Sequence, residues 1–267
     1  MTRPPLARSA ALGALAALAA SAAAADVSVP ADAVRVAPVG AKPAARAKPK
    51  GEGAIVLNGV RTTVRWTDGD SFQVKSGEYA GRGARLTGYN TLESYGPVHR
   101  WGEWTPEGLF ALAKAAGPAA AAGTWTCTTD GKADGYGRLL VTCPELAVAM
   151  VQQGLAMAYT VEGSAPLPGT LEAQAEAMAA RRGIWEKGVV RGVVTSVHAV
   201  GEDGPGHATA YNRVVDTRTG QALKRAHQKT YAPCEWVCEE TDGEASCLLY
   251  VPFAHRYRNK PTCLKAR

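Results

Sequence analysis

Alternating apolar and polar positions predict short β-strands in the first third of the folded chain. Residues 55–66 alternate on either side of Asn58-Gly59, a dipeptide typical of two-residue hairpin turns. Residues 72–74 and 84–87 alternate in the same way, with a glycine-rich stretch between them. These segments predict an antiparallel meander in which one face of each strand is buried.

Apolar residues at helical spacing predict three helices further along the chain. The first begins at Thr105 and ends at Gly117-Pro118, the second covers residues 144–159, and the third begins at Thr170 and ends at Gly183. Two short strands are predicted between the first and second helices. Because strands and helices do not alternate as β-α-β units, the pattern predicts an α+β, mainly β fold: a small antiparallel barrel with packed helices.

The two ends of the chain predict export and a separate C-terminal module. Residues 1–25 have a basic start, a short apolar run and an alanine-rich cleavage site near Ala25, the layout of a signal peptide. The apolar run is too short to span a membrane, so we expect no transmembrane anchor and a secreted protein, extracellular or periplasmic. Residues 26–52 are rich in Ala, Pro and Lys and predict a linker. Residues 53–188 form the main predicted domain, and residues 189–267 a small Cys-containing β module.

Six cysteines in an exported chain favour disulfides over free thiols. Cys127 and Cys143 lie on predicted neighbouring strands and predict one bridge in the main domain. The other four lie in the C-terminal module and predict two bridges, with a tetrahedral zinc site as the alternative. Those four are Cys234, Cys238, Cys247 and Cys263.

Acidic and amide side chains are concentrated just before the predicted strand at residues 72–74 and just after the one at residues 84–87. Asp68 and Asp70 precede one strand, Arg85 lies in the next, and Asn90 and Glu93 follow it. Carboxylate and amide oxygens suit a hard cation, and an arginine in the same cleft would face an anion held by that cation. Taken alone, each piece also fits an ordinary turn or a solvated strand face.

A second motif favours a functional site over an ordinary turn or a solvated strand face. It is Asp134-Gly135-Tyr136-Gly137-Arg138, which supplies another arginine at the start of a strand. Two arginines and a cation could neutralise the charge that gathers on phosphorus, while a carboxylate orients or deprotonates water. The two motifs together therefore predict phosphodiester cleavage. The net charge of +6 is compatible with such a polyanionic partner.

In their order along residues 64–186, the motifs D-G-D-S, R-L-T-G-Y-N-T-L-E-S and D-G-Y-G-R resemble the staphylococcal nuclease-like (thermonuclease) family. The resemblance implies a five-stranded oligonucleotide/oligosaccharide-binding (OB-fold) barrel with three packed helices. It also implies calcium-dependent hydrolysis of DNA, RNA or both, by an enzyme that we expect to be a monomer without a stable protein partner.

The resemblance implies a site for one Ca²⁺. Its ligands would be Asp70, Asn90 and the backbone carbonyl of Thr91, with Asp68 in support. Asn90 departs from the family, which normally has a second metal-binding aspartate there. An amide oxygen can coordinate calcium, but the site loses a negative charge, which lowers calcium affinity.

The resemblance also implies how substrate would be held. Arg85 and Arg138 would clamp the phosphate, and Glu93 would act as general base or would position the attacking water. Tyr136 and Tyr159 would border the nucleotide. Each tyrosine is otherwise a plausible half-buried aromatic residue.

Two other classes of protein fit the same sequence. One is a non-catalytic barrel that binds nucleic acid or an envelope partner, its metal site degraded at Asn90. The other is a purely structural envelope protein without affinity for nucleic acid. In the C-terminal module, residues 255–260 interleave cations with an aromatic residue, so they form either a nucleic-acid contact or a solvated basic edge.

Overall fold

The computed structural model describes residues 51–161, 163–202 and 210–265. The predicted signal peptide therefore lies outside the described residues, as does the linker up to residue 50. Glu52, the last residue assigned to the linker, begins the first strand.

The described chain is mainly β with few helices. Its strands are β1 (Glu52–Leu57), β2 (Val60–Trp66), β3 (Ser71–Val74), β4 (Gly83–Leu86), β5 (Gly88–Thr91), β6 (His99–Trp101), β7 (Trp125–Cys127), β8 (Leu139–Val141), β9 (Ala156–Val161), β10 (Gly192–Val197), β11 (Ala210–Asp216), β12 (Gln221–His227), β13 (Trp236–Thr241) and β14 (Glu244–Leu249). Its helices are α1 (Pro106–Ala121), α2 (Pro144–Gln152), α3 (Thr170–Ala179) and α4 (Thr262–Lys265). None of these helices is both long and apolar enough to cross a membrane.

The predicted meander forms the centre of the first sheet, whose strand order is β7-β1-β2-β3-β4-β8. Asn58 and Gly59 have φ values of 48° and 82°, the left-handed conformation that the tight turn between β1 and β2 requires. The sheet buries alternate residues, among them Phe72 and Leu86, against α1 and α2. This sheet contains β3, which directly follows Asp70, and β4, which contains Arg85.

Helix α1 begins as predicted, with the Thr105 side chain accepting a hydrogen bond from the Gly108 N–H. Its predicted end at Gly117-Pro118 is wrong, because the helix continues to Ala121 with Pro118 inside it. Ala116 and Ala120 are fully buried on either side of that proline. Their packing against the first sheet holds the last turn in helical conformation despite the lost backbone hydrogen bond.

The predicted helix over residues 144–159 is also shorter than expected. It ends at Gln152, and Gly154 takes a left-handed φ of 65°, which ends the helix and turns the chain. The apolar residues that follow form β9, which pairs antiparallel with β5 and parallel with β12. Tyr159 is consequently a strand residue, opposite Gly88.

Strands of the C-terminal segment pair with strands of the preceding segment. β9 and β5 complete a sheet of order β10-β11-β12-β9-β5, and β6 joins β14 in a sheet of order β13-β14-β6. The second pairing places Ser246, Cys247 and Leu248 opposite Trp101, Arg100 and His99. The chain beyond β14 therefore starts close to the loop that follows Glu93.

Three disulfides are present in the described residues. Cys127–Cys143 joins the end of β7 to the start of α2 across a Cα–Cα distance of 4.2 Å. Cys238–Cys247 links β13 to β14, and Cys234–Cys263 closes the C-terminal segment. The four cysteines for which zinc was the alternative are thus all in disulfides, and three bridges in one chain indicate folding in an oxidising compartment.

Candidate active site

Asp70 is the buried centre of the predicted acidic cluster, with only 2% of its surface exposed. It lies in the turn between β2 and β3, and the β3–β4 register sets Ser71 opposite Arg85. Asp70 Oδ1 accepts hydrogen bonds from Ser71 Oγ and from the Arg85 guanidinium, with which it also forms an ion pair. Oδ2 accepts from the Thr91 N–H at 2.8 Å and from Thr91 Oγ1 at 3.0 Å. These donors compensate for burying the carboxylate.

Arg85 connects the Asp70 carboxylate to the Asn90 amide. One terminal nitrogen binds Asp70 Oδ1 and the other binds Asn90 Oδ1. Burial lowers the pKa of Arg85, but the negative charges around it, above all Asp70, outweigh burial and leave that pKa raised. The guanidinium is therefore held charged and in one orientation.

Asp68 lies beside this pair and is half-buried. Its Oδ1 accepts a hydrogen bond from the Asp70 N–H at 3.1 Å. Burial raises the pKa of Asp68 to about 8, and repulsion from Asp70 adds to the shift, while Arg85 partly opposes it. Asp68 and Asp70 are therefore neighbouring carboxyl groups, and the positive charge near them is not sufficient to stabilise both in the ionised form.

Glu93 follows β5 and is half-buried at the edge of the cluster. Burial raises its pKa, and Asp70 raises it further, whereas three arginines lower it. In decreasing order of effect these are Arg256, Arg85 and Arg138. A carboxylate with a raised pKa is a stronger base than an ordinary glutamate and accepts a proton from water more readily.

Arg138 is paired with a residue of its own motif. Its Nε and one terminal nitrogen both lie 2.7 Å from Asp134 Oδ2, and Asp134 Oδ1 accepts the backbone N–H groups of Tyr136 and Arg138. Asp134 thus organises the glycine-rich turn. The charge of Arg138 is nevertheless among those that lower the pKa of Glu93.

The two predicted nucleotide-bordering tyrosines differ in their surroundings. Tyr136 is 74% exposed, and the Arg138 guanidinium carbon lies 5.6 Å from its ring centre. Tyr159 is half-buried on β9 and influences the pKa of Arg85. Tyr159 therefore lies nearer to the acidic cluster, and Tyr136 lies at the outer turn.

The donor set of Asp70, Asn90 and Thr91 is of the type that calcium binds: a carboxylate, an amide oxygen and a backbone carbonyl. Each of these oxygens already has a partner. Arg85 occupies the first two, and the Thr91 carbonyl accepts Asn90 Nδ2 at 2.7 Å. No group of three or more His, Cys, Asp or Glu side chains suited to a metal occurs in the described residues. The chemistry of these donors fits calcium, and a bound ion would compete with the Arg85 guanidinium for Asp70 Oδ1 and Asn90 Oδ1.

Sequence reasoning assigns no functional role to His99. It is 2% exposed in β6, and its Nε2 accepts the Glu93 backbone N–H at 3.2 Å. The imidazole therefore fixes the chain at the proposed general base. No spacing signal could have identified it, because the contact depends on the path of the loop between β5 and β6.

Burial lowers the pKa of His99 to about 3 from an ordinary value near 6.5, although its interaction with the Val194 backbone opposes the shift. Between these values the unfolded chain binds a proton at this residue that the folded chain does not, so the contribution of His99 to stability falls as the pH decreases. The loss is at most about 1.4 kcal/mol per pH unit.

We expect His99→Gln, whose amide oxygen can still accept the Glu93 N–H, to reduce this slope. Denaturant unfolding at pH 7, 5.5 and 4.5 measures it, and an unchanged slope would contradict the assignment.

Comparison with known proteins bears on the same segment. Residues 85–187 match a family model described as staphylococcal nuclease homologue. The match begins at Arg85 and includes Asn90, Thr91, Glu93 and Arg138, whereas Asp68 and Asp70 precede it. A search of curated proteins found no match. This match supports the assignment of residues 85–187 to the staphylococcal nuclease-like family.

Proposed function

We propose that this protein is a secreted hydrolase of phosphodiester bonds in DNA, RNA or both, and that it uses one calcium ion. The observation that carries the proposal is the single hydrogen-bonded cluster formed by Asp70, Arg85, Asn90 and Thr91, with Glu93 beside it. A half-buried carboxylate surrounded by arginine charges is suited to activating water next to a bound phosphate.

In this mechanism the arginines hold the phosphate and Glu93 handles the proton. An arginine has five N–H donors, and Arg85 uses one each on Asp70 and Asn90, so its remaining donors are available to phosphate oxygens. Arg138 approaches from the other motif. Glu93 takes a proton from the attacking water as the water oxygen bonds to phosphorus. The bond from phosphorus to the leaving sugar oxygen breaks, and that oxygen takes a proton from solvent. Asp70 holds the Arg85 guanidinium in one orientation. A bound calcium ion would add positive charge at the phosphate oxygens.

We also propose the type of barrel, the boundaries of the two domains and export of the protein. Residues 53–188 would form the five-stranded OB-fold barrel with three packed helices, with Tyr136 and Tyr159 bordering the nucleotide. Residues 189–267 would be a C-terminal module attached to it. Cleavage of a signal peptide near Ala25 would release a monomeric chain outside the cytoplasm, consistent with the three disulfides.

The direct test uses the mature chain, from residue 26, prepared with its disulfides intact. Single-stranded DNA and RNA of identical sequence, labelled at one end, are incubated with millimolar calcium or with a chelator. We expect shorter products only with calcium. If neither polymer is shortened at any calcium concentration, the proposed activity is wrong.

A second candidate function is a non-catalytic barrel that binds nucleic acid. The observation that favours it is Asn90, an amide where an acid would strengthen the cation site, with its oxygen bound to Arg85. Under this candidate the chain would bind oligonucleotides equally well with calcium and with chelator, and no product would form.

Asn90→Asp is expected to strengthen calcium dependence. A second carboxylate adds negative charge at the proposed ligands, so the calcium concentration for half-maximal activity should fall at least about tenfold. Asn90→Ala should raise that concentration instead. Calcium titrations of hydrolysis, with binding calorimetry in parallel, measure both. The same calcium dependence in all three proteins would show that residue 90 is not a ligand.

A further inference from the structure

The segment that follows β14 reaches the edge of the candidate site. We name residues 253–260 the arm. The Leu249 N–H donates to the Val98 carbonyl at 2.9 Å, so the chain enters the arm directly beside the loop that follows Glu93. The Cys234–Cys263 disulfide fixes the chain just beyond it. The position of the arm is therefore set at both ends.

Arg256 is the residue of the arm that packs on the loop after Glu93. Its side-chain stem covers Gly96, where an added Cβ would be 3.3 Å from Arg256 Cγ, and Gly96 itself has a φ of 96°. Its Nε donates to the Val251 carbonyl at 3.1 Å, which orients the guanidinium. A third arginine thus lies on the loop that follows the proposed general base.

Aromatic rings and lysines continue this surface. Tyr95 is 44% exposed, and its hydroxyl donates to the Thr67 carbonyl at 2.7 Å, while Lys114 Nζ lies 4.1 Å from its ring centre. Tyr257 of the arm is 63% exposed, and it adds to the rise that burial gives the pKa of Tyr95. Burial lowers the pKa of Lys114, and the charge of Lys260 lowers it further. The lip of the site therefore combines exposed rings with several positive charges.

We propose that the arm is a second wall of the active site that holds a single-stranded polynucleotide, with Arg256 on a backbone phosphate beside the one being cleaved and Tyr257 stacked on a base. This inference rests on the proposed function, because it assigns an additional strand-binding surface to the same site. Exposed rings beside cations bind unpaired bases and phosphates together, whereas paired bases keep their faces stacked inside a duplex.

Binding is measured by fluorescence anisotropy of a labelled twelve-nucleotide oligothymidylate with the full mature chain in chelator, over a series of salt concentrations. We expect Arg256→Ala to weaken binding and to reduce the slope of log affinity against log salt by about 0.7, the value for one phosphate contact on a single strand. Tyr257→Ala should weaken binding by about fivefold or more, and Tyr257→Phe should not.

Arg61→Ala is the matched control, an exposed arginine of β2 outside the arm, and should leave affinity and slope nearly unchanged. Arg256→Lys separates charge from structure, since it loses the Nε hydrogen bond but keeps the positive charge and should keep the salt slope. Equal slopes for the wild-type protein and Arg256→Ala would overturn the inference while leaving the proposed function standing. No binding and no cleavage by the wild-type protein would overturn both. A slope lost equally in the Lys variant would assign Arg256 a structural role only and would also overturn the inference.

Discussion

Replacing Glu93 with glutamine is expected to lower the rate of phosphodiester hydrolysis by about 10²- to 10⁴-fold, the range for a lost general base. The amide has the same shape and hydrogen-bonding reach but cannot take a proton from water. The backbone N–H of residue 93 keeps its bond to His99, so the loop should keep its path. The measurement is the rate of cleavage of a labelled oligonucleotide at saturating substrate.

Two comparisons make this result specific. Glu103→Gln changes an exposed glutamate outside the cluster and should retain wild-type activity. Glu93→Gln should also retain oligonucleotide binding, because the arginines that hold phosphate are unchanged. Activity within a few fold of the wild-type protein in Glu93→Gln would remove this residue from the chemistry.

Arg85→Lys is expected to lower the hydrolysis rate by about 10²- to 10³-fold, as when one preorganised donor to a developing charge is removed. Lysine keeps a positive charge beside Asp70, but it cannot bridge Asp70 and Asn90 with a planar fork while still donating to phosphate. Alanine is a poorer choice, since an unpaired buried carboxylate at Asp70 would cost about 3–5 kcal/mol of stability. The rate is measured with the oligonucleotide assay used for Glu93.

The matched control is Arg61→Lys, an exposed arginine of β2 that should retain full activity. Thermal unfolding of both lysine variants checks that they are folded. If Arg85→Lys is folded and hydrolyses substrate at the wild-type rate, a bidentate guanidinium is not needed, and the proposed phosphate clamp is wrong.

Local signals predicted the first sheet well and the helix boundaries less well. The Asn58-Gly59 turn and the Thr105 cap depend on neighbouring residues alone, and both are present as expected. Residues 156–161 are apolar and short, a pattern that a buried strand shares with the end of a helix. Their pairing with β5 and β12 decides the outcome, and that pairing is a tertiary property.

The residues of the candidate site likewise divide into those that local sequence predicts and those whose position depends on tertiary contacts. Asp70 and Arg85 could be predicted to meet because they flank one strand connection and the pairing of β3 with β4 is local. Arg256 could not be placed at Glu93 from sequence, because its position depends on the pairing of β14 with β6, far apart along the chain. His99 is similar, since only the folded loop brings its ring to the Glu93 N–H.

The most direct test of the central claim is conversion of supercoiled plasmid to nicked circles by the mature chain. Calcium is added to one reaction and a chelator to another, and Glu93→Gln, purified in parallel, controls for contaminating nuclease. The account predicts nicking by the wild-type protein with calcium, which the chelator stops and which the variant lacks. Intact plasmid in every reaction, or equal nicking by the two proteins, would contradict it.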